Sequence, residues 1–190
     1  MKGVLSLGLA SFLFCLFLSA PAIQAVSVGG AEFSERRRVG DSNTTLRGSA
    51  LLKKMMFVKV YAGAFYLEEG APAAEALGDV PKALVLHYFR SISAADLAKA
   101  TRVMMEKNTS PDQFEALLPK IERMNSLYRD VEPGDRYTAV YIPADGTTLF
   151  FNGNPLGTVE GSAFSRAYFA IWIGENPIDE GFRNSLLGNP

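Results

Sequence analysis

The stretch TTLFFNGNPLGTVEGSAFSRAYFAIWIGENPIDEGFRNSLLG, residues 147–188, decides the fold. It opens as a hairpin. Leu149, Phe150 and Phe151 run into Asn152-Gly153-Asn154-Pro155, where Asn and Gly accept positive φ and Pro155 bars the chain from continuing as a central strand. Leu156 to Val159 is the returning strand, ahead of Gly161. Phe164, Ala167, Tyr168, Ile171 and Trp172 then recur at helical spacing, an amphipathic helix with a broad apolar face that Gly174 stops. Asn176-Pro177 reads as the start of a second helix, with Asn as N-cap, Pro at the first helical position and Asp179 and Glu180 in the positive first turn. Ile178, Phe182 and Leu186 share one face of it, and Gly188 is placed as its C-cap.

Outward from this stretch, Tyr137 to Ile142 is a strand that turns through Pro143-Ala144-Asp145-Gly146 into the hairpin. Two helices precede it. Ser93 with Asp96 has capping-box spacing ahead of a face of Leu97, Thr101, Met104 and Met105, and Asn108-Thr109-Ser110-Pro111 ends that helix. Ser110, Pro111 and Gln113 cap the next, with a stripe of Phe114, Leu117, Leu118, Ile121, Asn125 and Tyr128 that Pro119 should kink or split. Asp130, Glu132 and Asp135 beside Pro133-Gly134 read as a loop before the strand.

Further upstream, Ala83 to Phe89 is a strand and residues 69–79 a short helix and loop. Ala50 to Glu68 is one long strand or a bent pair, with Val58, Val60, Ala62, Ala64 and Tyr66 on one face and Phe57, Lys59, Tyr61, Gly63, Phe65 and Leu67 on the other. Both faces are largely apolar, so the element belongs inside a sheet covered on at least part of each side, and Gly63 marks a bulge or a close approach. Ser42 to Gly48 is polar and turn-like. Arg36, Arg37 and Arg38, flanked by Glu35 and Asp41, read as a solvated strand edge rather than an anion site.

Residues 1–25 carry Lys2, an apolar run from Val4 to Ala20 and small residues after it, the pattern of a secretory signal peptide cleaved after Ala25 or Ala22. The run is slightly short of the ~20 residues of a membrane span, so no stable membrane insertion is expected after cleavage. Residues 26–190 form one domain. Cys15, the only cysteine, lies in the leader, so the mature chain makes neither a disulfide nor a thiolate metal site and rests on its hydrophobic core. Without Lys2, 18 basic residues face 20 acidic ones, a balance that excludes a general nucleic-acid binder.

His87, the only histidine, sits within a strand, so no His-His metal pair and no Ser-His-Asp triad without it can form. A mid-strand place fits a structural histidine better than a catalytic base. The chain has no P-loop, no G-x-G-x-x-G, no G-x-S-x-G and no metal-ligand cluster, and no cofactor is implied. Met55, Met56, Met104, Met105 and Met124 suit either ordinary core or an adaptable lining for an apolar ligand. The element order gives an α+β fold with a mostly antiparallel sheet and helices packed on one side.

AIWIGENPIDEGFRNSLLG and LRGSALLKKMMFVKVYAGAFYLE resemble, in that order, the C-terminal signature and the long strand pair of the chalcone isomerase-like family, especially its exported bacterial branch. The resemblance implies an open-faced β-sandwich. It also implies a cleft between sheet and helices, where true chalcone isomerases hold an arginine after the first strand, a threonine on the long strand, a tyrosine and an asparagine on the helix pair, and a threonine or serine on the penultimate helix. Aligned residue by residue, those places are taken here by Tyr61, Phe114, Ile121 and Ile171. Leu52 stands where bacterial relatives have an arginine before Lys-Lys, leaving Arg47, which either reaches the cleft or sits in a solvated turn.

Phe and Ile cannot hold a phenolate or stabilise an enolate, so the resemblance implies no chalcone isomerisation. Plastid relatives that lack catalysis bind fatty acids in the same cleft. The expectation is therefore a non-catalytic periplasmic protein that binds an apolar or amphipathic molecule, with Arg47, Tyr61, Phe114, Ile121 and Ile171 as ligand-binding residues. Two alternatives stand beside it: an isomerase or lyase on another substrate, and an interaction protein whose cleft is filled by its own side chains. A cavity of ~300 Å³ or more would favour a ligand over a filled cleft.

Overall fold

The computed structural model describes residues 24–55 and 57–189. The signal peptide expected over residues 1–25 lies almost wholly outside them, as does Met56. Nine strands and four helices are present among the described residues: β1 (Ala25–Val28), β2 (Ala31–Ser34), β3 (Arg36–Val39), β4 (Ser42–Lys54), β5 (Val58–Glu68), β6 (Lys82–Tyr88), α1 (Ala94–Lys107), α2 (Pro111–Asn125), β7 (Arg136–Ile142), β8 (Gly146–Phe151), β9 (Asn154–Val159), α3 (Ser162–Ile173) and α4 (Glu180–Leu186). A 3₁₀ turn, Ala73–Leu77, links β5 to β6.

Strands β3 to β9 form one antiparallel sheet in sequence order, so every neighbour pair is a hairpin or a longer return. The helices lie on one face. On the other, the β1–β2 hairpin places Ala31 and Phe33 against Ala62, Ala64, Tyr66, Ala83 and Val85, while Tyr61, Phe65, Leu67, Leu84 and Leu86 face the helices. This is the two-sided coverage that the apolar faces of β5 require. The β8–β9 turn is Asn152 (φ 49°) and Gly153 (φ 84°), the primed hairpin geometry, and Pro155 sits in β9, the last strand of the sheet.

Several local readings shift. Ser42 to Gly48 is not a turn but the first half of β4, paired with β3 on one side and β5 on the other. Its polar residues are paid for by the ladder, and buried Thr44 donates its hydroxyl to the Arg37 carbonyl at 2.8 Å. Arg36–Val39 forms the edge strand, as its charge run implies. Pro119 leaves α2 unbroken, because Glu115, whose carbonyl loses its partner, and Pro119 itself are both exposed to water.

The last helix starts later than expected. Asn176 is occupied elsewhere: its backbone N–H donates to Asn108 Oδ1 at 3.1 Å and its side chain to the Lys107 carbonyl at 3.2 Å. Asp179 takes over as N-cap, accepting from the Phe182 N–H at 2.7 Å, and Ile178 stays outside the helix and exposed while Phe182 and Leu186 are buried. Gly63 proves to be a close approach. A Cβ there would lie 2.5 Å from the Phe182 ring, so glycine is what lets α4 pack on β5.

Candidate functional site

Tyr61 lies on the helix-facing side of β5. Its hydroxyl accepts a hydrogen bond from Trp172 Nε1 at 3.1 Å, and its ring meets the rings of Tyr88 and Phe182 edge-on, each at 5.5 Å between centroids. Phe114 and Ile121 of α2 and Ile171 of α3 are buried in the same apolar cluster. Arg47 stands apart: it is the extra residue of the β-bulge between Leu46 and Gly48, and it is exposed. Neighbouring Gly48 lies against the carbonyls of Ser185 and Leu186 at the end of α4.

The interior between sheet and helices is rich in phenols and poor in bases. Thr101, Tyr128 and Tyr168 form a hydroxyl chain with spacings of 2.9 and 2.8 Å, and the Tyr137 hydroxyl donates to the Arg129 carbonyl at 3.0 Å. Burial raises Tyr61, and raises Tyr128 to about 12 against the lowering effect of its bonds to Thr101 and Tyr168. These phenols hold their protons at neutral pH, so they can donate hydrogen bonds to a guest but cannot act as bases. Tyr128 was legible as a polar member of the stripe that begins at Phe114, although α2 ends at Asn125, before reaching it; its partner Tyr168 was not, because at helical spacing it reads as one more core aromatic.

An open groove lies on the outer side of α3, with a volume of about 740 Å³. Ala163, Arg166, Ala167 and Ala170 form its floor down to Gly174. The Leu77–Asp79 segment makes one wall and Asn108, Ala116 and Leu117 the other. Asn108 and Asn176 tie one end together, since Asn108 Nδ2 also donates to the Asn176 carbonyl at 2.9 Å. None of the five residues expected from the sequence lines the groove. Leu117 and Ala167, however, belong both to the groove and to the cluster that holds Tyr61, Phe114, Ile121 and Ile171.

Two cations reach the groove, Lys107 and Arg166, and among the described residues neither side chain forms an ion pair or a hydrogen bond. Of the two acids on its lining, Asp79 accepts from the Tyr141 hydroxyl, and Glu175 lies beyond the end of α3, after the extended Gly174. Behind the Leu77–Asp79 wall, Lys82 is buried, donates to the Gly78 carbonyl and lies 4.8 Å from the Tyr141 ring centre and 5.9 Å from that of Phe169. Its ammonium is lowered to about 8, chiefly by burial, with Asp79 opposing and Arg166 reinforcing the shift. The sequence signal for it was a lysine at the mouth of an apolar strand.

His87 faces away from the helices. Its Nδ1 accepts from Arg136 Nε at 3.2 Å, its ring packs on Phe89, and burial, then the Arg136 charge, lowers its pKa. That is the structural role its mid-strand place suggested. Of the methionines, Met104, Met105 and Met124 are core, whereas Met55 is neither core nor lining but fully out in solvent. No group of three or more metal-ligating side chains occurs among the described residues.

No curated protein matches the sequence. The crystal structure of a fatty-acid binding protein from Arabidopsis thaliana, AtFAP1, superposes with a TM-score of 0.69 over 87% of this chain and 97% of that one. At 19% identity that likeness speaks for the fold. The family model for chalcone isomerase-like proteins matches residues 25–188, nearly the whole of the described chain, and the protein therefore belongs to the chalcone isomerase-like family.

Proposed function

We propose that this protein binds an amphipathic carboxylate of the fatty-acid class without transforming it, in the exported compartment that its leader implies. The observation that carries the reading is the 740 Å³ groove, well above the ~300 Å³ that a small-molecule site needs, with alanines on its floor and free cations at its lining. An acyl chain laid along α3 would bury methylenes at ~0.8 kcal/mol each, and Arg166 is placed for the head group. Tyr61, Phe114, Ile121 and Ile171 form the packed apolar interior behind Leu117 and Ala167. Arg47, exposed at its bulge beside the end of α4, is the alternative head-group cation. The fatty-acid binding activity of the Arabidopsis relative supports the ligand class.

The catalytic half follows from the same residues. Apolar Phe114, Ile121 and Ile171 replace hydroxyl and amide donors, and Tyr61 spends its acceptor on Trp172. Of the aligned places only Tyr61 keeps an O–H to offer, so the set of converging donors that a developing enolate needs is missing.

Titration of delipidated protein with fatty acids of graded chain length tests this. Arg166→Ala should weaken binding by more than about tenfold, which is ~1.4 kcal/mol, and Arg47→Ala in parallel assigns the head group. Turnover of chalcone by the purified protein would contradict the non-catalytic part. Failure of every chain length to bind would favour a self-filled interior, a reading to which Phe182 packed on Gly63 and Tyr61 lends weight. Export is checked by N-terminal sequencing of the cell's own product, expected to begin at Val26 or Ile23.

A further inference from the structure

At the end of the sheet where β4 turns into β5, two large apolar side chains stand almost entirely in water: Met55 is 88% exposed and Phe57 84%. Among the described residues the other exposed large apolar side chains, Val103 and Ile178, reach only 42% and 38%, so the pair stands out. The backbone holds them there. Phe57 N–H donates to the Met55 carbonyl at 2.7 Å, closing a tight turn, and Met55 takes φ 49°, a conformation that glycine or asparagine fills at less cost. A bulky apolar residue kept at a strained turn and turned outward does nothing for the core.

The flanking charges are of one sign. Lys53 and Lys54 are exposed, and among the described residues neither is ion-paired. Lys53 lies directly opposite Lys59 across the ladder, a like-charge pairing that disfavours the strands unless an anion relieves it. Lys59 Nζ donates to the Gly29 carbonyl at 2.8 Å, beside the Phe89 ring. No acidic residue occurs between Ala50 and Leu67.

We propose that this tip docks the protein on an anionic lipid surface, with Met55 and Phe57 entering the acyl boundary and Lys53, Lys54 and Lys59 at the phosphate level. A convex apolar point ringed by lysines matches the layering of a bilayer, apolar inside and anionic at its border. A protein partner would need a preformed apolar pocket lined with acids. No helix among the described residues is long and apolar enough to span a membrane. The inference stands whether or not the groove carries an amphiphile.

Co-sedimentation of the protein, as the cell processes it, with vesicles of phosphatidylcholine alone or mixed with phosphatidylglycerol tests the idea. Binding is expected on the mixed vesicles, weakened by salt, and at least about tenfold lower for the Met55→Ser/Phe57→Ser pair and for Lys53→Glu/Lys54→Glu. Phe57→Trp in the otherwise unchanged chain should gain fluorescence that brominated phosphatidylglycerol quenches, a readout specific to the tip and independent of any retained leader. Absence of binding to anionic vesicles would overturn the proposal and leave the tip to a protein partner. So would binding that survives the serine pair, or a Trp at position 57 that brominated lipid does not quench.

Discussion

Replacing Trp172 by alanine removes the side chain that joins α3 to β5. The indole is 8% exposed, sits edge-on to Tyr168 at 5.4 Å between centroids, and gives its N–H to the Tyr61 hydroxyl at 3.1 Å. Trp→Ala in a core costs ~3 to 5 kcal/mol from lost transfer energy and the cavity left behind. A Trp172→Phe variant keeps most of the volume and isolates the hydrogen bond, for which about 0.5 to 1.5 kcal/mol is expected. The assay is urea unfolding followed by far-UV circular dichroism, since Trp172 is the only tryptophan and its removal abolishes that fluorescence signal. An unchanged slope with a lowered midpoint would show that stability alone has moved. A loss below about 1 kcal/mol for the alanine variant would refute the reasoning, and would mean that the interior repacks or that Trp172 is not part of it.

Gly63→Ala should cost about 1 to 3 kcal/mol by driving a methyl into the Phe182 ring, and that cost should shrink in a Phe182→Leu background; equal costs in both would show that the contact is not the cause. Lys82 binds a proton less readily when folded, with its pKa lowered to about 8, than when unfolded, so folding stability rises with pH between about 8 and 10.5 and carries the full desolvation penalty below that window. Measured against Lys82→Met, the wild-type protein should therefore gain about 2 to 3 kcal/mol from pH 8 to 10, and parallel curves would contradict the burial account. Asn108→Ala removes the bonds to Asn176 and to the Met104 carbonyl, and should cost about 1 to 3 kcal/mol and loosen the end of the groove; unchanged hydrogen exchange at the Asn176 N–H would refute the clamp.

The hairpin and α3 were legible because their chemistry is local. Asn152-Gly153 dictates its turn, and Phe164 to Trp172 repeat at the helical period. The capping box of Ser110 and Gln113 is likewise seen in both directions, with bonds of 3.2 and 3.3 Å. Errors arose where a residue's partner lies far along the chain. Asn176 looked like a helix cap because Asn-Pro is a cap signal, but Asn108, 68 residues away, claims it. Ser42 to Gly48 looked like a loop because threonine and serine say nothing of the strands on either side. The β1–β2 hairpin carried no signal of its own strong enough to read, and only the apolar second face of β5 hinted at its cover.

The candidate site divides the same way. Burial of Tyr61, Phe114, Ile121 and Ile171 follows from periodicity, but a groove is a space between elements. Its floor of Ala163, Ala167 and Ala170 is visible only once the Leu77–Asp79 segment and the α1–α2 turn stand on either side of it. Arg166 and Lys82 then acquire meaning from that arrangement, whereas in the sequence they are two lysine-arginine class residues among nineteen.

Native mass spectrometry of the exported protein, purified gently and without added lipid, tests amphiphile binding most directly. The account predicts a noncovalent complex heavier than the mature chain by the mass of a fatty acid or a similar carboxylate, lost on delipidation and restored when the acid is added back. A spectrum of bare protein alone, unchanged after incubation with fatty acids of every chain length, would contradict it.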